Sequence, residues 1–376
     1  MTLLFSRQEP FCCDSGEMSG PATMAAHLNK RPLKAAIIGT GRIASKLEKD
    51  PLRHKPHTHA GCYAHHPFTE LVAGADINAE NLAEFGADWR IGSEHLYQDY
   101  VAMLRAERPD IVSICAYAPQ RQQMVTHALE YGVRGLWLEK AIGCSLAEAR
   151  TIADAIERAG AKAIVDYPRR SAGTYRFIKD RIEDGRYGRL LSIQVSMNSQ
   201  MIHTGTHAFD VLNFWCGPVR TLQGWLEDAA LQSERIQDGA GYGHLIFANG
   251  VHAFINAGRR GYYIFQFDLQ FEHARVHIGN DILQLFTPGE SKNYTGFKEL
   301  FLDAAETAAM QSAPAADGLL VDLVACMLDV KRKPVYSVQN AVDALRIGVG
   351  LFQSNNQQHR WLKPEEVDAD LRIESV

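Results

Sequence analysis

A chain of 376 residues, 46% hydrophobic and 22% charged, is long enough to form two domains with sizeable cores. Its net charge of -5 argues against bulk attraction to nucleic acid or an anionic membrane, and no run approaches the ~20 apolar residues that span a bilayer. The seven cysteines are scattered without a CxxC pair, which fits reduced thiols in a cytoplasmic protein rather than a disulfide scaffold.

Residues 1–33 show no periodicity. MTLLF is too short for a signal-peptide core and acidic residues follow it, so a disordered tail is expected, or a true start at Met18 or Met24. The apolar run Ala35-Ala36-Ile37-Ile38 then ends in Gly39-Thr40-Gly41, and a helix-compatible segment carrying Ala44 follows at once. This is the strand, tight turn and helix start of a dinucleotide-binding unit, in which glycines let the backbone approach a pyrophosphate. Residues 50–68 read as an insertion after that helix. Its His54, His57, His59, His65 and His66 have no matched cysteine or carboxylate set beside them, so a solvated loop is expected and no metal. Strands follow over 70–76, 110–116, 134–139 and 162–167. Helices are predicted over 79–85, capped by Asn78, over 98–108 and 121–131, and over 145–160, opened by a Ser145/Glu148 capping box. The alternation predicts an α/β domain with a doubly wound parallel sheet over 34–167.

From 168 to 376 the pattern changes. A helix over 174–184 precedes alternating stretches over 190–197, 221–227, 244–247, 251–257, 262–279 and 282–286, with Asn249-Gly250 and Gly279-Asn280-Asp281 as turns. They predict an α+β domain with a large, mostly antiparallel open sheet, one face left to solvent or a partner. Two or three helices close the chain, the clearest with Val338, Ala341, Val342, Leu345, Val349 and Phe352 on one stripe.

Three places can carry chemistry. Asp76 ends the second strand, where a carboxylate accepts from the ribose hydroxyls and repels the 2′-phosphate of NADP, so NAD is favoured over NADP. A turn aspartate is the plain alternative. Lys140 follows a strand ending at Glu139, on the edge where ligands bind in open α/β sheets. There an amine can orient a hydroxyl and stabilise a developing alkoxide, although surface lysines also follow strands. His203, His207 and Asp210 cluster about Gly205. An imidazole is the natural proton acceptor for a carbinol at neutral pH, and Asp210 can orient His207 or cap the helix. A loop of hydrogen-bonded histidines is the alternative.

Taken in order, a GxGxxA loop, a strand-end Asp, Glu-Lys before a helix and Gly-x-His-x-x-Asp after the first strand of an antiparallel domain resemble the Gfo/Idh/MocA oxidoreductases, from about Lys34 to Pro364. The resemblance implies a Rossmann domain followed by a substrate-binding domain whose sheet packs on a second subunit, in a homodimer or homotetramer. It implies hydride transfer between NAD(P) and a hydroxyl of a sugar, polyol, sugar acid or related cyclic alcohol, with neither nucleic acid nor membrane as partner. By the same resemblance Gly39, Thr40, Gly41, Arg42 and Ile43 hold the pyrophosphate, Asp76 the adenosine ribose and Glu139 the nicotinamide ribose, with Pro119 also at the cofactor. Lys140 is the catalytic lysine and His207 the proton acceptor, beside His203 and Asp210. Arg169 and Arg170 resemble a basic pair near the substrate. Three positions depart from the family pattern: Ala141 replaces Pro, His203 replaces Asp, and Arg121 replaces His. The last two make the cleft more positive and predict an anionic substrate such as an acidic sugar. Two other readings stay open: a redox-neutral NAD-dependent glycosidase or lyase, and a non-catalytic nucleotide- and sugar-sensing regulator.

Overall fold

The computed structural model describes residues 31–198, 200–227 and 236–375, and the expectation of a disordered tail falls almost wholly outside them. The described chain forms two units, one of residues 31–171 and 315–342, the other of residues 172–314 and 343–375.

The first unit is built on six parallel strands: β1 (Leu33–Ile38), β2 (Thr69–Ala75), β3 (Leu96–Tyr97), β4 (Ile111–Ile114), β5 (Gly135–Leu138) and β6 (Lys162–Val165), in the order β3-β2-β1-β4-β5-β6. The doubly wound sheet is as expected. Strand order reverses between β1 and β4, so a crevice opens at their carboxyl ends. Strands β4 and β5 are buried at every residue, because helices cover both faces. Those helices are α1 (His59–His65), α2 (Ala79–Trp89), α3 (Tyr100–Glu107), α4 (Ala118–Glu130) and α5 (Leu146–Arg158). Asn78 caps α2 through Glu80 N and Asn81 N, and Ser145 caps α5 through Glu148 N, as their sequences predict.

Three expectations fail here. The segment after Gly41 is not a regular α-helix: it is a wide turn, with Leu47 N bonded to Arg42 O, ending in one 3-10 turn at Lys46–Lys49. Residues 50–68 are correspondingly not a solvated loop. Glu48 Oε2 accepts from His57 N, Thr58 N and Thr58 Oγ1, each at 2.9 Å, and Thr58 caps α1. Helix α1 then packs where the missing first helix would lie, burying Ala60, Cys62 and Tyr63 against Ile37 and Trp137. His57, His59 and His66 are buried, whereas His54 and His65 are exposed. Residues 315–342, assigned from the sequence to the second domain, also return to this unit. They carry α9 (Leu319–Leu328), apolar along most of its length, which can only be satisfied in a core. Leu319, Leu320, Leu323 and Val324 join Ile111, Trp137 and Ile164, and Tyr336 O accepts from Val165 N at 3.0 Å beside β6.

The second unit carries β7 (Leu190–Met197), β8 (Val219–Leu226), β10 (Gly241–Phe247), β11 (His252–Ala257), β12 (Phe265–Phe271), β13 (Arg275–Gly279), β14 (Leu283–Glu290) and β15 (Lys298–Leu302), with a two-residue pair, β9 (Ile236–Gln237) and β16 (Ile373–Glu374). The eight-stranded sheet runs β15-β14-β13-β12-β7-β11-β10-β8, antiparallel except where β7 meets β11. Stretch 262–279 is two strands, because Phe271 N bonds Ala274 O and closes a hairpin at Glu272-His273. Helices α6 (Gly173–Glu183) and α7 (Gly205–Cys216) cover one face. Trp215 donates to Tyr175 O at 2.9 Å and its ring stands 5.1 Å from that of Phe267. Helices α8 (Ala304–Gln311) and α10 (Val338–Asn356) follow, and all six predicted stripe residues of α10 are buried. Among the described residues no helix is long and apolar enough to cross a membrane.

Candidate functional site

The glycine turn after β1 lies beside the end of β4. Gly39 has φ +86°, and a Cβ there would stand 3.0 Å from Ala116 N and 3.1 Å from Cys115 C, so only glycine fits. Around Gly41 the space a Cβ would take is open, which is what close approach of a phosphate requires. Asp76, just past β2, accepts from Thr40 N at 2.8 Å and Thr40 Oγ1 at 3.2 Å through Oδ2, and from Asn78 N at 2.8 Å through Oδ1. Thr40 is therefore tied to Asp76, which leaves Gly41, Arg42 and Ile43 as the loop residues whose amides can meet an anion. The carboxylate is where a ribose-binding acid belongs, and Oδ1 keeps a lone pair for a hydroxyl. Pro119 sits in the first turn of α4.

The Glu139–Lys140 turn leaves β5 at the same edge. Glu139 is buried, and Lys140 and Arg169 are half-buried. Glu139 Oε1 lies 3.3 Å from His59 Nε2, and Lys140 N donates to Glu139 Oε2 at 3.2 Å. His59 Nε2 is also 3.6 Å from Asp166 Oδ2, past the end of β6, and Nδ1 is 2.9 Å from Ser113 Oγ on β4. Burial works to raise the Glu139 pKa, but the His59 hydrogen bond and charge, then Lys140 and Arg121, bring it down to about 2. Asp166 goes the other way, to about 6, through burial and the neighbouring Glu139 carboxylate.

Arg121 corrects one expectation. It is fully buried at the start of α4, donating from Nη2 to Ala116 O at 2.7 Å and from Nη1 to Ala141 O. The guanidinium staples the end of β4 to the Lys140–Ala141 turn, so Arg121 no longer supports an anionic substrate. Arg170 is buried beside half-buried Arg169 in a 3-10 turn after β6.

In the second unit, helical bonding begins before α7, with Thr204 N bonded to Gln200 O and Thr206 N to Ile202 O. His203, His207 and Asp210 are thus spaced i, i+4 and i+7 and share one face. The two histidines are half-buried and Asp210 is buried. The turn is pinned by Asp238, which accepts from Ile202 N at 2.9 Å and His203 N at 2.7 Å.

Sequence reasoning missed His59, Asp166 and Asp238. Two had a readable signal: Asp166 follows its strand as Asp76 follows β2, and Thr58 precedes a run of small and apolar residues as a helix cap does. Asp238 had none.

A six-stranded parallel sheet with a glycine turn and a strand-end carboxylate at its switch point defines a domain of the dinucleotide-binding class. Residues 33–167 match the Gfo/Idh/MocA family, described as an oxidoreductase family with an NAD-binding Rossmann fold. The chain is 31% identical over 180 residues to the D-apiose dehydrogenase of Paraburkholderia graminis, covering 48% of this chain and 42% of that protein. It is 29% identical over 162 residues to the inositol 2-dehydrogenase of Pseudomonas savastanoi pv. phaseolicola, covering 43% and 44%. The chain thus spans less than half the length of these relatives. Among solved structures, the WlbA dehydrogenase of Bordetella pertussis in complex with NADH and UDP-GlcNAcA matches with TM-score 0.69 and 17% identity over 89% of this chain and 99% of that one. The myo-inositol 2-dehydrogenase of Lactobacillus plantarum matches with TM-score 0.67 and 19% identity over 89% and 99%. At these identities the likeness is one of fold.

Proposed function

We propose that the protein is an NAD-dependent dehydrogenase acting on a hydroxyl of a sugar, polyol or related cyclic alcohol. The observation that carries this reading is the Glu139–Lys140 turn, anchored at the carboxyl ends of β4, β5 and β6 in a domain of an NAD-binding family. The names of the relatives, D-apiose and inositol dehydrogenases, support the substrate class.

The glycine turn fits a dinucleotide: Gly39 closes against β4 and the space at Gly41 is open. Gly41, Arg42 and Ile43, with Thr40 bracing the loop, would hold the pyrophosphate, Asp76 the adenosine ribose, and Glu139 the nicotinamide ribose, with Pro119 at the edge. When bound, the nicotinamide supplies a hydride acceptor. Lys140 orients the substrate oxygen and stabilises its negative charge. His207 takes the hydroxyl proton, Asp210 holds its ring, and His203 and the Arg169–Arg170 pair bind substrate hydroxyls. The second unit is the substrate and assembly domain, and its outer sheet face pairs two copies of the chain.

The test is to supply purified protein with NAD+ and a panel of neutral polyols, sugars and sugar acids, following absorbance of the reduced ring. Turnover with a member of the panel, abolished by Lys140→Met while NAD+ affinity is kept, is expected. Turnover untouched by Lys140→Met, or none with any alcohol, overturns the reading. Product formed without accumulating NADH points to the redox-neutral alternative.

A further inference from the structure

Three histidines between the glycine turn and β2 are buried, and they are not alike. His57 faces the Arg53 guanidinium at 2.7 Å, and burial, then Arg53, lower its pKa to about 4. Burial lowers that of His66 to about 4. Both rings are therefore neutral. Burial opposes charge on His59 as well, but the hydrogen bonds to Asp166 and Glu139 raise its pKa above the ordinary imidazole range. Burial pushes the Cys115 pKa up, so it is a thiol at neutral pH and the two carboxylates are the counter-charges.

Every element around His59 contributes a facing group. Strand β4 gives Ser113, whose Oγ also meets Tyr63 OH from α1 at 2.8 Å, and Cys115 lies just past that strand. The ends of β5 and β6 give Glu139 and Asp166. The ring packs on Trp137, with centroids 3.9 Å apart. Lys140 and Arg121 add positive charge around Glu139. A bare pair of buried carboxylates would share a proton, since two like charges so close do not both ionise. An imidazolium between them, with both N–H groups hydrogen-bonded, removes that need.

We propose that His59 is a positioning residue, an imidazolium that keeps Glu139 an anion and fixes the turn presenting Lys140 to cofactor and substrate. This rests on the dehydrogenase reading for its effect on turnover, but not for the charge on the ring. An ionised Glu139 would accept strongly from a ribose hydroxyl and be the counter-charge of Lys140; a protonated one accepts more weakly and carries no charge. The same three ligand atoms lie within 4.8 Å of one another, close enough for a metal ion. The imidazolium already accounts for both carboxylate contacts, so a proton is the simpler occupant.

The experiment has a spectroscopic and a kinetic arm. In protein labelled with 15N-histidine and free of cofactor, both ring nitrogens of His59, assigned by their loss in His59→Gln, are expected to be protonated at neutral pH and to titrate well above it. In turnover assays, His59→Gln is expected to lower kcat roughly tenfold or more, since a small misplacement near the chemistry costs that much. Its acid limb of kcat/KM should move up by about one pH unit or more, because Glu139 now shares a proton with Asp166. Adding Asp166→Asn to His59→Gln removes the competing carboxylate and should return that limb towards the wild type. A purely structural role predicts no such return. A neutral His59 ring at neutral pH overturns the proposal even if the enzyme is fully active. So does an unmoved acid limb, or tight uptake of Zn2+ by the wild type that His59→Gln abolishes. Absence of turnover with every alcohol leaves the nuclear magnetic resonance arm to decide the charge, and then it is the dehydrogenase reading that has failed.

Discussion

Asp76 accepts the backbone N–H of Thr40 at 2.8 Å, so the strand-end carboxylate and the glycine turn form one rigid piece. A group that braces the loop and, in the proposed reading, would also meet a ribose would couple cofactor choice to loop geometry. Asp76→Ala is expected to weaken NAD+ binding by about 1.5–3 kcal/mol, the worth of lost hydrogen bonds to a charged acceptor, and to narrow the preference for NAD over NADP. Calorimetric titration with both nucleotides measures this. Equal weakening for the two would show that the side chain only braces the loop.

Gly39 and Gly41 separate a folding role from a binding role. A side chain at 39 meets φ +86° and the backbone of Ala116 at 3.0 Å, so Gly39→Ala should cost roughly 1–3 kcal/mol of stability. A side chain at 41 meets nothing. Gly41→Ala is expected to leave the urea midpoint nearly unchanged while NAD+ affinity falls. If Gly41→Ala binds NAD+ like the wild type, the pyrophosphate does not approach there.

How much of this was legible in the sequence depends on whether the signal was local. The glycine turn, the strand-end Asp76, the caps at Asn78 and Ser145 and the buried stripe of α10 are set by spacing within a few residues, and the structure has them where the sequence puts them. What failed was non-local. Residues 315–342 fold back because α9 needs a core that the sequence shows only as an apolar run. Arg121 looks like any helix-start cation until two carbonyls, Ala116 and Ala141, are found at its guanidinium. His59 sits among four other histidines, and only the sheet ends decide which one meets carboxylates.

Arg121 supplies a further prediction. Arg121→Met would leave the carbonyls of Ala116 and Ala141 without their buried donor, at about 1–3 kcal/mol for each group left unsatisfied. Unfolding by urea should show the loss. Because the same staple steadies the Lys140 turn, kcat should fall further than KM rises. If instead KM for an acidic substrate rises alone, Arg121 binds substrate after all.

The carboxylates past β5 and β6 should leave opposite signatures in stability against pH. Glu139, at about 2 when folded against an ordinary 4.5, contributes stability that is present above 4.5 and lost as pH falls through 2. Asp166, at about 6 against 3.8, favours the folded state only while protonated, so stability falls as pH rises from 3.8 through 6. Glu139→Gln is therefore expected to destabilise at neutral pH, with the difference closing in acid. Asp166→Asn should stabilise above 6 and converge on the wild type below 3.8. Denaturation midpoints across that range check both signs. Parallel curves for the two variants would mean that the carboxyls do not titrate as described.

The outer face of the eight-stranded sheet gives the last prediction. Cross-strand alternation sends Trp225, Tyr242 and Phe254 away from the core, each 37–43% exposed, beside a His244–His252 pair with ring nitrogens 3.0 Å apart. Neighbouring strands β8, β10 and β11 bring these rings into one patch, and Trp361 meets His244 with centroids 5.0 Å apart. A patch of aromatic side chains on a sheet face is costly to leave in water and matches the composition of interface cores. Because a sheet face is flat, two copies can satisfy it face to face about a twofold axis. Phe254→Glu places a carboxylate at the centre, and in a twofold interface each copy would bury the other's charge. The variant should therefore elute and scatter as a monomer with its thermal midpoint little changed, since residue 254 is not in the core. If light scattering finds the wild type monomeric, or finds Phe254→Glu to have the wild type's mass, assembly does not use this face.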